Sequence, residues 1–474
     1  MPGTGLSVRL PSPIRFILYA MDRIGRIEPG LWVIGTAGLG GLVALASWAP
    51  LAWAGVLVLL ALAGLGFLVW RHTIVFCVAW LLIAGMTIEM TVADLAGLDA
   101  FQPTIAGIKA AGLVLALTCA VRWGWQPDPL NPAWAFTVIA MAGLATGLYP
   151  GLTPADSLRS WIGSIAPFAF CFGRPPRVWA DAMLTAVRWC PVVAVAAAMV
   201  LSAACIRPMF VDSGGLRLAG IGHPAFLAGV ALTAVCASLI ELFRTAGRTI
   251  AALLGANLTI LLLTGARAPL AYAAAVIGLS LAFVPSAALS PRTRGLLVLC
   301  GLAMAPVLFV LAGELSDVRI FHLLQSDATN LSGRDRLWPA FEAAAEEAPV
   351  LGWGTGSGNL VLPPDGVVAK LLRTWAAHNE YLRIRVEGGW IGLALLIGLF
   401  TVWAVRRSMC LGPSDRGILR LSLLAFAALA ATDNVLISTP ACVTFTFAAA
   451  LFVRGEHEHR ATRTFALPDS GRVA

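Results

Sequence analysis

One histidine has the residue type and the surroundings that acid–base chemistry needs. His378 lies between Ala377 and Asn379, in a polar stretch of a chain that otherwise consists of apolar blocks. Imidazole exchanges a proton near neutral pH, and a hydroxyl group that attacks a carbon atom needs such an acceptor for its proton. The sequence therefore predicts His378 as a general base. The alternative is an interfacial histidine whose polar tip only contacts water.

Four arginines have positions that suit the binding of phosphate. Arg267 stands in a short turn between two apolar runs, and Arg217 lies upstream of it. A charge at membrane depth is costly and usually marks a functional path, and a guanidinium can hold phosphate oxygens with two parallel hydrogen bonds. Arg217 and Arg267 are therefore predicted to form a diphosphate clamp, unless they only extend to the interface. Arg334 and Arg336 could add to the clamp, or could be solvated and paired with Asp335.

The other polar residues add no second kind of chemistry. A sugar could form hydrogen bonds with Asp433 and Asn434, but a polar turn between two helices is the slightly favoured interpretation of these two residues. His223 could line a cavity or cap a helix. Paired carboxyl groups for glycoside hydrolysis are missing, and so are enough ligands for a metal site. We therefore expect neither a metal nor a cofactor.

Alternating glycines at 352–358 raise the question of a nucleotide-binding loop. Such a loop needs a strand before it and a helix after it, and the flanking sequence predicts neither. A tight turn that lets the backbone approach a ligand, or a flexible loop, is the preferred interpretation.

The composition places these residues in a membrane protein. Of the 474 residues, 59% are hydrophobic and only 12% are charged, whereas about 25% are charged in soluble domains. The net charge of +8 comes mostly from arginines at the ends of apolar segments, as membrane topology requires, so nucleic-acid binding is not expected. The nine cysteines contain no Cys-x-x-Cys spacing, so neither a disulfide framework nor a zinc site is predicted.

Apolar runs of about 20 residues, the length that crosses a bilayer, predict an all-α polytopic membrane protein with roughly 12–14 transmembrane helices. The candidate spans lie near 31–49, 52–70, 73–92, 103–121, 132–149, 158–173, 183–205, 219–242, 249–265, 268–286, 295–313, 387–405, 417–432 and 435–453.

Arginines cluster in alternate connections between these spans, which predicts that both termini are cytoplasmic and that the longest loop lies outside. His378 would stand just above the outer interface if 378–405 is one helix. The predicted organisation is a cytoplasmic segment 1–30, transmembrane helices over 31–313, an outer loop 314–386, C-terminal transmembrane helices over 387–453 and a disordered cytoplasmic tail 454–474.

Several short motifs resemble those of the O-antigen ligase and polymerase superfamily. His378-Asn379, followed after nine residues by Gly389-Trp390-Ile391-Gly392, is similar to the loop motif of that superfamily. The stretches 333–338 and 349–354 resemble the start of this loop in exopolysaccharide polymerases, and 264–267 resembles a Ser-Arg turn, with Ala266 in place of the serine. Arg217, with Gly220 and His223-Pro224, resembles an upstream arginine motif more loosely.

The resemblance implies a bacterial inner-membrane enzyme with a fold related to the GT-C class and an active site on the periplasmic face, in the large loop. In such enzymes the arginines, here Arg217 and Arg267, hold the undecaprenyl diphosphate of a lipid-linked glycan, and the histidine, here His378, activates the acceptor hydroxyl. Transfer would be metal-independent and inverting. Arg334, Arg336, Asn379 and Glu387 are further candidates in or beside the loop.

The sequence leaves three functions open. The first is polymerisation of exopolysaccharide or O-antigen repeat units, and the second is ligation of a finished glycan onto a lipid A core. The third is a polyprenyl-glycan transporter or a non-catalytic assembly partner, although transporters place polar residues near the bilayer midplane rather than at one face. A flippase and a chain-length regulator are expected as partners in glycan assembly.

Overall fold

The computed structural model describes residues 50–97, 100–212, 215–314, 336–363, 366, 374 and 376–466. Residue contacts divide the chain into two compact units, Met1–Phe76 and Cys77–Ala474. In the first unit the described part is a helix and the start of the next one. The second unit contains the candidate site. The predicted segment 1–30 and span 31–49 lie outside the described residues.

The described secondary structure is almost entirely helical. The elements are α1 (Pro50–Arg71), α2 (Thr73–Met86), α3 (Glu89–Ala96), α4 (Phe101–Trp123), α5 (Ala133–Thr146), α6 (Pro154–Ile165), α7 (Arg177–Ala203), β1 (Phe210–Asp212), β2 (Leu216–Leu218), α8 (Pro224–Thr245), α9 (Arg248–Leu263), α10 (Arg267–Phe283), α11 (Pro291–Glu314), α12 (Trp338–Glu347), α13 (Glu380–Arg407), α14 (Pro413–Ala430) and α15 (Pro440–Ala466).

These helices confirm an all-α polytopic membrane protein. Among the described residues four helices, α4, α7, α8 and α13 with its short extension to Cys410, are long and apolar enough to cross a membrane. A fifth span results if the bent pair Ala63–Arg71 and Thr73–Met86 counts as one. Shorter apolar helices accompany them in α5, α9 and α10. The total of 12–14 spans and the relation to the GT-C class stay predictions.

Two predicted spans are interrupted. The run at 73–92 forms α2 and α3, which are separated at Thr87, where φ is 55°. The run at 158–173 forms α6 and then a 3₁₀ segment, Ala166–Phe172. Helix α6 begins about one turn earlier than expected, since the Thr153 side chain caps it by accepting a hydrogen bond from the N–H of Asp156.

The core of the second unit surrounds α8, and aromatic rings fill the space beside it. Most of the membrane-length part of α8 is buried. The rings of Phe168 and Phe445 lie 4.2 Å apart, and Trp403 packs against both. Such packing fixes the helices that carry the candidate site at their ends.

Helix α13 is broken, which corrects the expectation of one continuous helix over 378–405. It begins at Glu380 and has non-helical angles at Gly389 (φ 59°, ψ −161°). The segment 349–354 supplies partners for the backbone groups that the break releases, as a lipid environment requires. The hydrogen bonds run from Trp353 N to Val386 O (3.0 Å), Gly354 N to Glu387 O (2.8 Å), Trp390 N to Pro349 O (2.8 Å) and Ile391 N to Val350 O (3.2 Å).

The sequence predicted a disordered tail from residue 454. The structure differs, because α15 continues to Ala466. Glu458 contacts Arg244 at 2.6 Å, and Glu456 contacts Arg407 at 2.9 Å. The alternating glutamates therefore hold this helix end against α8 and α13 rather than forming a solvated tail.

Candidate active site

His378 lies just before α13, outside the helix. Its φ is 47°, in the left-handed region that residues other than glycine rarely adopt. The Asn379 side chain caps α13 by accepting a hydrogen bond from the N–H of Leu382 at 3.1 Å. Asn379, a further candidate from the sequence, thus marks the N-terminal boundary of α13. His378 lies before this boundary, so it can take its unusual conformation outside the helix. An unfavourable backbone conformation at one polar residue is common at functional sites.

Both ring nitrogens of His378 have partners. Nδ1 lies 3.2 Å from Oδ1 of Asp433, and Nε2 lies 2.9 Å from the hydroxyl oxygen of Thr374. A carboxylate only accepts hydrogen bonds, so Nδ1 donates to Asp433 and Nε2 is left as the acceptor. The Thr374 hydroxyl thus occupies the position from which a substrate hydroxyl could give its proton to Nε2.

Asp433 is the site residue for which sequence reasoning preferred another role. It lies in the turn 431–439, between α14 and α15, and its Oδ1 also accepts a hydrogen bond from the N–H of Asn434 at 2.9 Å. The sequence favoured a simple polar turn here. The signal that could have identified it is a carboxyl group in a hairpin between two apolar helices, where an ionisable residue usually has a function.

Arg217 and Arg267 meet at one turn although 50 positions separate them. The hairpin of β1 and β2 pairs Arg217 with Val211, and the Arg217 Nε donates to the carbonyl oxygen of Thr264 at 2.8 Å. Arg267 is the first residue of α10, three positions after Thr264. Gly265 permits the tight turn between them with a φ of 62°.

His223 interacts electrostatically with Arg217 and with both members of the His378–Asp433 pair. It caps α8, because its Nδ1 accepts a hydrogen bond from the N–H of Ala225 at 3.2 Å. Of the two roles that the sequence left open for His223, the structure thus shows helix capping. Desolvation, then the charge of Arg217, lower the pKa of His223 to about 4; Asp433 raises it by a smaller amount, and His378 lowers it slightly further. The ring still contacts solvent. His223 is therefore neutral at pH 7 and within electrostatic reach of both groups.

The remaining candidates are Arg334, Arg336 and Glu387. Arg334 is outside the described residues, and Arg336 is exposed just before α12. Glu387 is not a loop residue: it is buried in α13 with an Oε1 2.6 Å from Arg383. Its position points to a structural contact rather than to a place beside His378.

The glycines at 352–358 serve close packing of the backbone. A Cβ atom at Gly352 would lie 2.5 Å from the carbonyl group of Glu387, and one at Gly356 would lie 2.5 Å from the hydroxyl of Ser160. At Gly358 the nearest atom would be a side-chain carbon of Arg383, at 2.7 Å. The run is neither flexible nor a ligand cradle at these positions, because protein atoms already fill the space.

Among the described residues, no three His, Cys, Asp or Glu side chains converge on a point where a metal ion could bind.

Part of the chain is similar to a known protein family. Residues 250–397 match a family model described as O-antigen ligase. The matched region is less than half of the chain; it includes Arg267 and His378, whereas Arg217, His223 and Asp433 lie outside it. No curated protein matches the chain.

Proposed function

We propose that the chain, of which residues 250–397 match a family model described as O-antigen ligase, belongs to the O-antigen ligase and polymerase superfamily of glycan-processing membrane enzymes and transfers an undecaprenyl-diphosphate-linked oligosaccharide to a sugar acceptor. The observation that carries this proposal is the His378–Asp433 pair, whose acceptor nitrogen faces a hydroxyl group at 2.9 Å. A hydroxyl-activating base is what the transfer of a glycan to an alcohol requires.

The proposed reaction is a direct displacement. The acceptor hydroxyl gives its proton to Nε2 of His378, and its oxygen forms a bond to the anomeric carbon of the donor. The bond from that carbon to the diphosphate breaks, undecaprenyl diphosphate leaves with the electron pair, and the anomeric configuration inverts. The Asp433 carboxylate stabilises the imidazolium that forms, as an acid beside a catalytic histidine does in other enzymes.

The arginines would act on the leaving group. Two guanidinium groups near one turn can hold a diphosphate before the reaction and stabilise the charge that develops on it. Arg217 and Arg267 flank the Thr264–Ala266 turn, and His223 lies within electrostatic reach of both Arg217 and His378. The neutral state of His223 adds no further positive charge at the clamp.

Within this function we favour polymerisation of repeat units, with the ligation of a glycan onto a lipid A core as the alternative. The motif at 333–338, of which only 336–338 is described, supports the polymerase. The transporter is less favoured because transporters place their polar residues near the bilayer midplane rather than at one face. The protein would act in the bacterial inner membrane, with both termini cytoplasmic and the site on the periplasmic face, beside a flippase and a chain-length regulator.

The test is glycan transfer by the purified protein in lipid nanodiscs, with an undecaprenyl-diphosphate-linked oligosaccharide as donor. His378→Ala should lower the rate about 100-fold or more, the range that general-base catalysis contributes. His459→Ala, on the exposed part of α15, is the matched control and should keep the wild-type rate. Wild-type transfer by His378→Ala would overturn the assignment of the base.

A deletion strain separates polymerase from ligase. Loss of a polymerase should leave single lipid-linked repeat units, whereas loss of a ligase should leave long lipid-linked chains.

A further inference from the structure

A group of buried charges lies beside the candidate site and takes no part in the proposed reaction. Its members are two cations and three carboxyl groups, all at most 3% exposed: Lys109, Arg383, Glu89, Glu380 and Glu387. They come from α3, α4 and the first turns of α13. Lys109 lies within electrostatic reach of Glu89, Glu380 and Arg383, so the charges form one cluster.

Stability alone does not explain such a cluster. A lysine or a carboxylate inside a membrane helix is costly, and well-packed apolar residues often replace a buried ion pair without loss of stability. One oxygen of each of the three carboxyl groups also lacks a hydrogen-bond partner among the described residues. A role beyond packing is therefore expected for these charges.

The contacts of Lys109 and Glu89 point to that role, because both hold the turn 431–439. The Lys109 Nζ donates to the carbonyl oxygen of Ile437 at 2.8 Å. On the same turn, the hydroxyl of Thr439 donates to Oε1 of Glu89 at 2.7 Å. Two neighbouring helices, α3 and α4, both distant in sequence from this short non-helical segment, thus hold it through a backbone carbonyl and a side-chain hydroxyl.

This segment carries Asp433. The Asp433 carboxylate is tied to the turn itself, since Oδ1 accepts from the N–H of Asn434 at 2.9 Å. Its distance to Nδ1 of His378, 3.2 Å, is at the upper end of the range for an N–H···O hydrogen bond. A shift of the turn by about 0.5 Å away from His378 would therefore break this contact.

The same cluster also holds the other partner of the pair. Arg383 binds Glu380 with its Nε at 3.0 Å and Glu387 with a terminal nitrogen at 2.6 Å. These pairs stiffen the first turns of α13, and His378 stands two residues before Glu380. The Lys109 ammonium donates to the turn that carries Asp433, and it lies within electrostatic reach of Glu380 and Arg383 at the start of α13.

Resting on the proposed function, we propose that Lys109, together with Glu89, is a positioning residue that fixes the turn 431–439 against the start of α13 and so keeps Asp433 bonded to His378. Lys109 itself contacts no substrate. Its loss should act on the reaction only through Asp433.

The test is a double-mutant cycle on the full-length protein in nanodiscs, with the transfer assay given above. Lys109→Met keeps the length and the apolar stem of the side chain but removes the ammonium. It should lower kcat about 10–100-fold, the typical effect of losing a residue that orients a functional group, and should leave KM for the lipid-linked donor unchanged. In an Asp433→Asn background the same change should cause no further loss, because the two residues act as one unit.

Losses that multiply in the double variant, or a rise in KM with kcat unchanged, would overturn the proposal. If Lys109→Met fails to accumulate in membranes, Thr439→Val decides, since it removes only the hydroxyl that bonds Glu89 and should show the same dependence on Asp433. The His378→Ala variant keeps the two proposals distinguishable. Its inactivity together with independent effects of Lys109 and Asp433 rejects only the positioning role, whereas an active His378→Ala variant rejects the proposed reaction.

Discussion

The surroundings of His223 determine its charge state. Its Nδ1 accepts a hydrogen bond from the N–H of Ala225, which only an unprotonated nitrogen can do. Desolvation and the Arg217 charge lower its pKa to about 4, from an ordinary value of about 6.5. A neutral histidine at this position leaves the positive charge of the site with the arginines, where a diphosphate would bind.

This shift predicts a pH dependence of stability. Between about pH 6.5 and pH 4 the unfolded chain binds a proton that the native protein does not bind, so the free energy of unfolding falls as the pH is lowered. His223→Asn keeps a capping oxygen but cannot titrate. Its melting temperature, measured in detergent across this range, should fall less steeply than that of the wild type. Equal slopes for the two proteins would contradict the assignment.

At the same scale, the sequence could identify His378 but not its partner. A histidine in a polar stretch after a membrane segment is visible from residue types and from a motif. Asp433 stands 55 positions away in a different turn, and only the packing of α13 against α14 and α15 brings the two together. Arg217 and Arg267 were predicted as a pair for their chemistry, but their common turn depends on a hairpin of six paired residues that no periodicity revealed.

At the scale of elements, apolar run lengths predicted most helices, because lipid thickness sets the length of a span. They could not predict the break in α13, whose cause is a contact between distant segments. The carbonyls of Val386 and Glu387 bind the backbone of 353–354 instead of continuing the helix. The glycines at 352–358 were correctly separated from nucleotide loops, but their role in packing needed the partner surface.

The close contact between Gly352 and the break in α13 predicts what a methyl group added at Gly352 would do. In Gly352→Ala the Cβ would lie 2.5 Å from the Glu387 carbonyl group, and a φ of 67° disfavours any residue but glycine. We expect a loss of about 3 kcal/mol of stability from the strained conformation and the overpacking together. The measurement is thermal unfolding in detergent.

The matched control for this variant is Gly412→Ala, where a Cβ would meet no atom within 4 Å and φ is −59°. It should cost no more than about 1 kcal/mol, the typical effect of alanine at a helix N-cap, and so lower the melting temperature clearly less than Gly352→Ala does. Equal melting temperatures for Gly352→Ala and the wild type would show that the segment 349–354 does not pack against the break as described.

At the scale of the whole second unit, the candidate site lies at one end of its helices. A second ionic cluster, formed by Arg244, Asp415 and Glu458, lies at the other end. His223 caps the start of α8 and Arg244 stands near its end, 20 positions after Pro224, which is about 30 Å along a helix and close to the thickness of the hydrocarbon core. Arg244 contacts Asp415 and Glu458, at 2.7 and 2.6 Å. The end of α15 therefore stabilises the face that lies away from the proposed reaction.

Truncation of α15 separates these two ends. A chain that stops after Gly455 loses the contacts of Glu456 with Arg407 and of Glu458 with Arg244. Because such partly exposed pairs contribute about 0.2–1 kcal/mol each, we expect a loss of about 1–2 kcal/mol and a lower melting temperature. A chain that stops after Ala466 keeps these pairs and serves as the control. Transfer per folded molecule should equal that of the wild type in both, since the cluster is a membrane thickness away from His378. A truncated protein that melts normally but transfers slowly would instead show that this end of the molecule acts on the site.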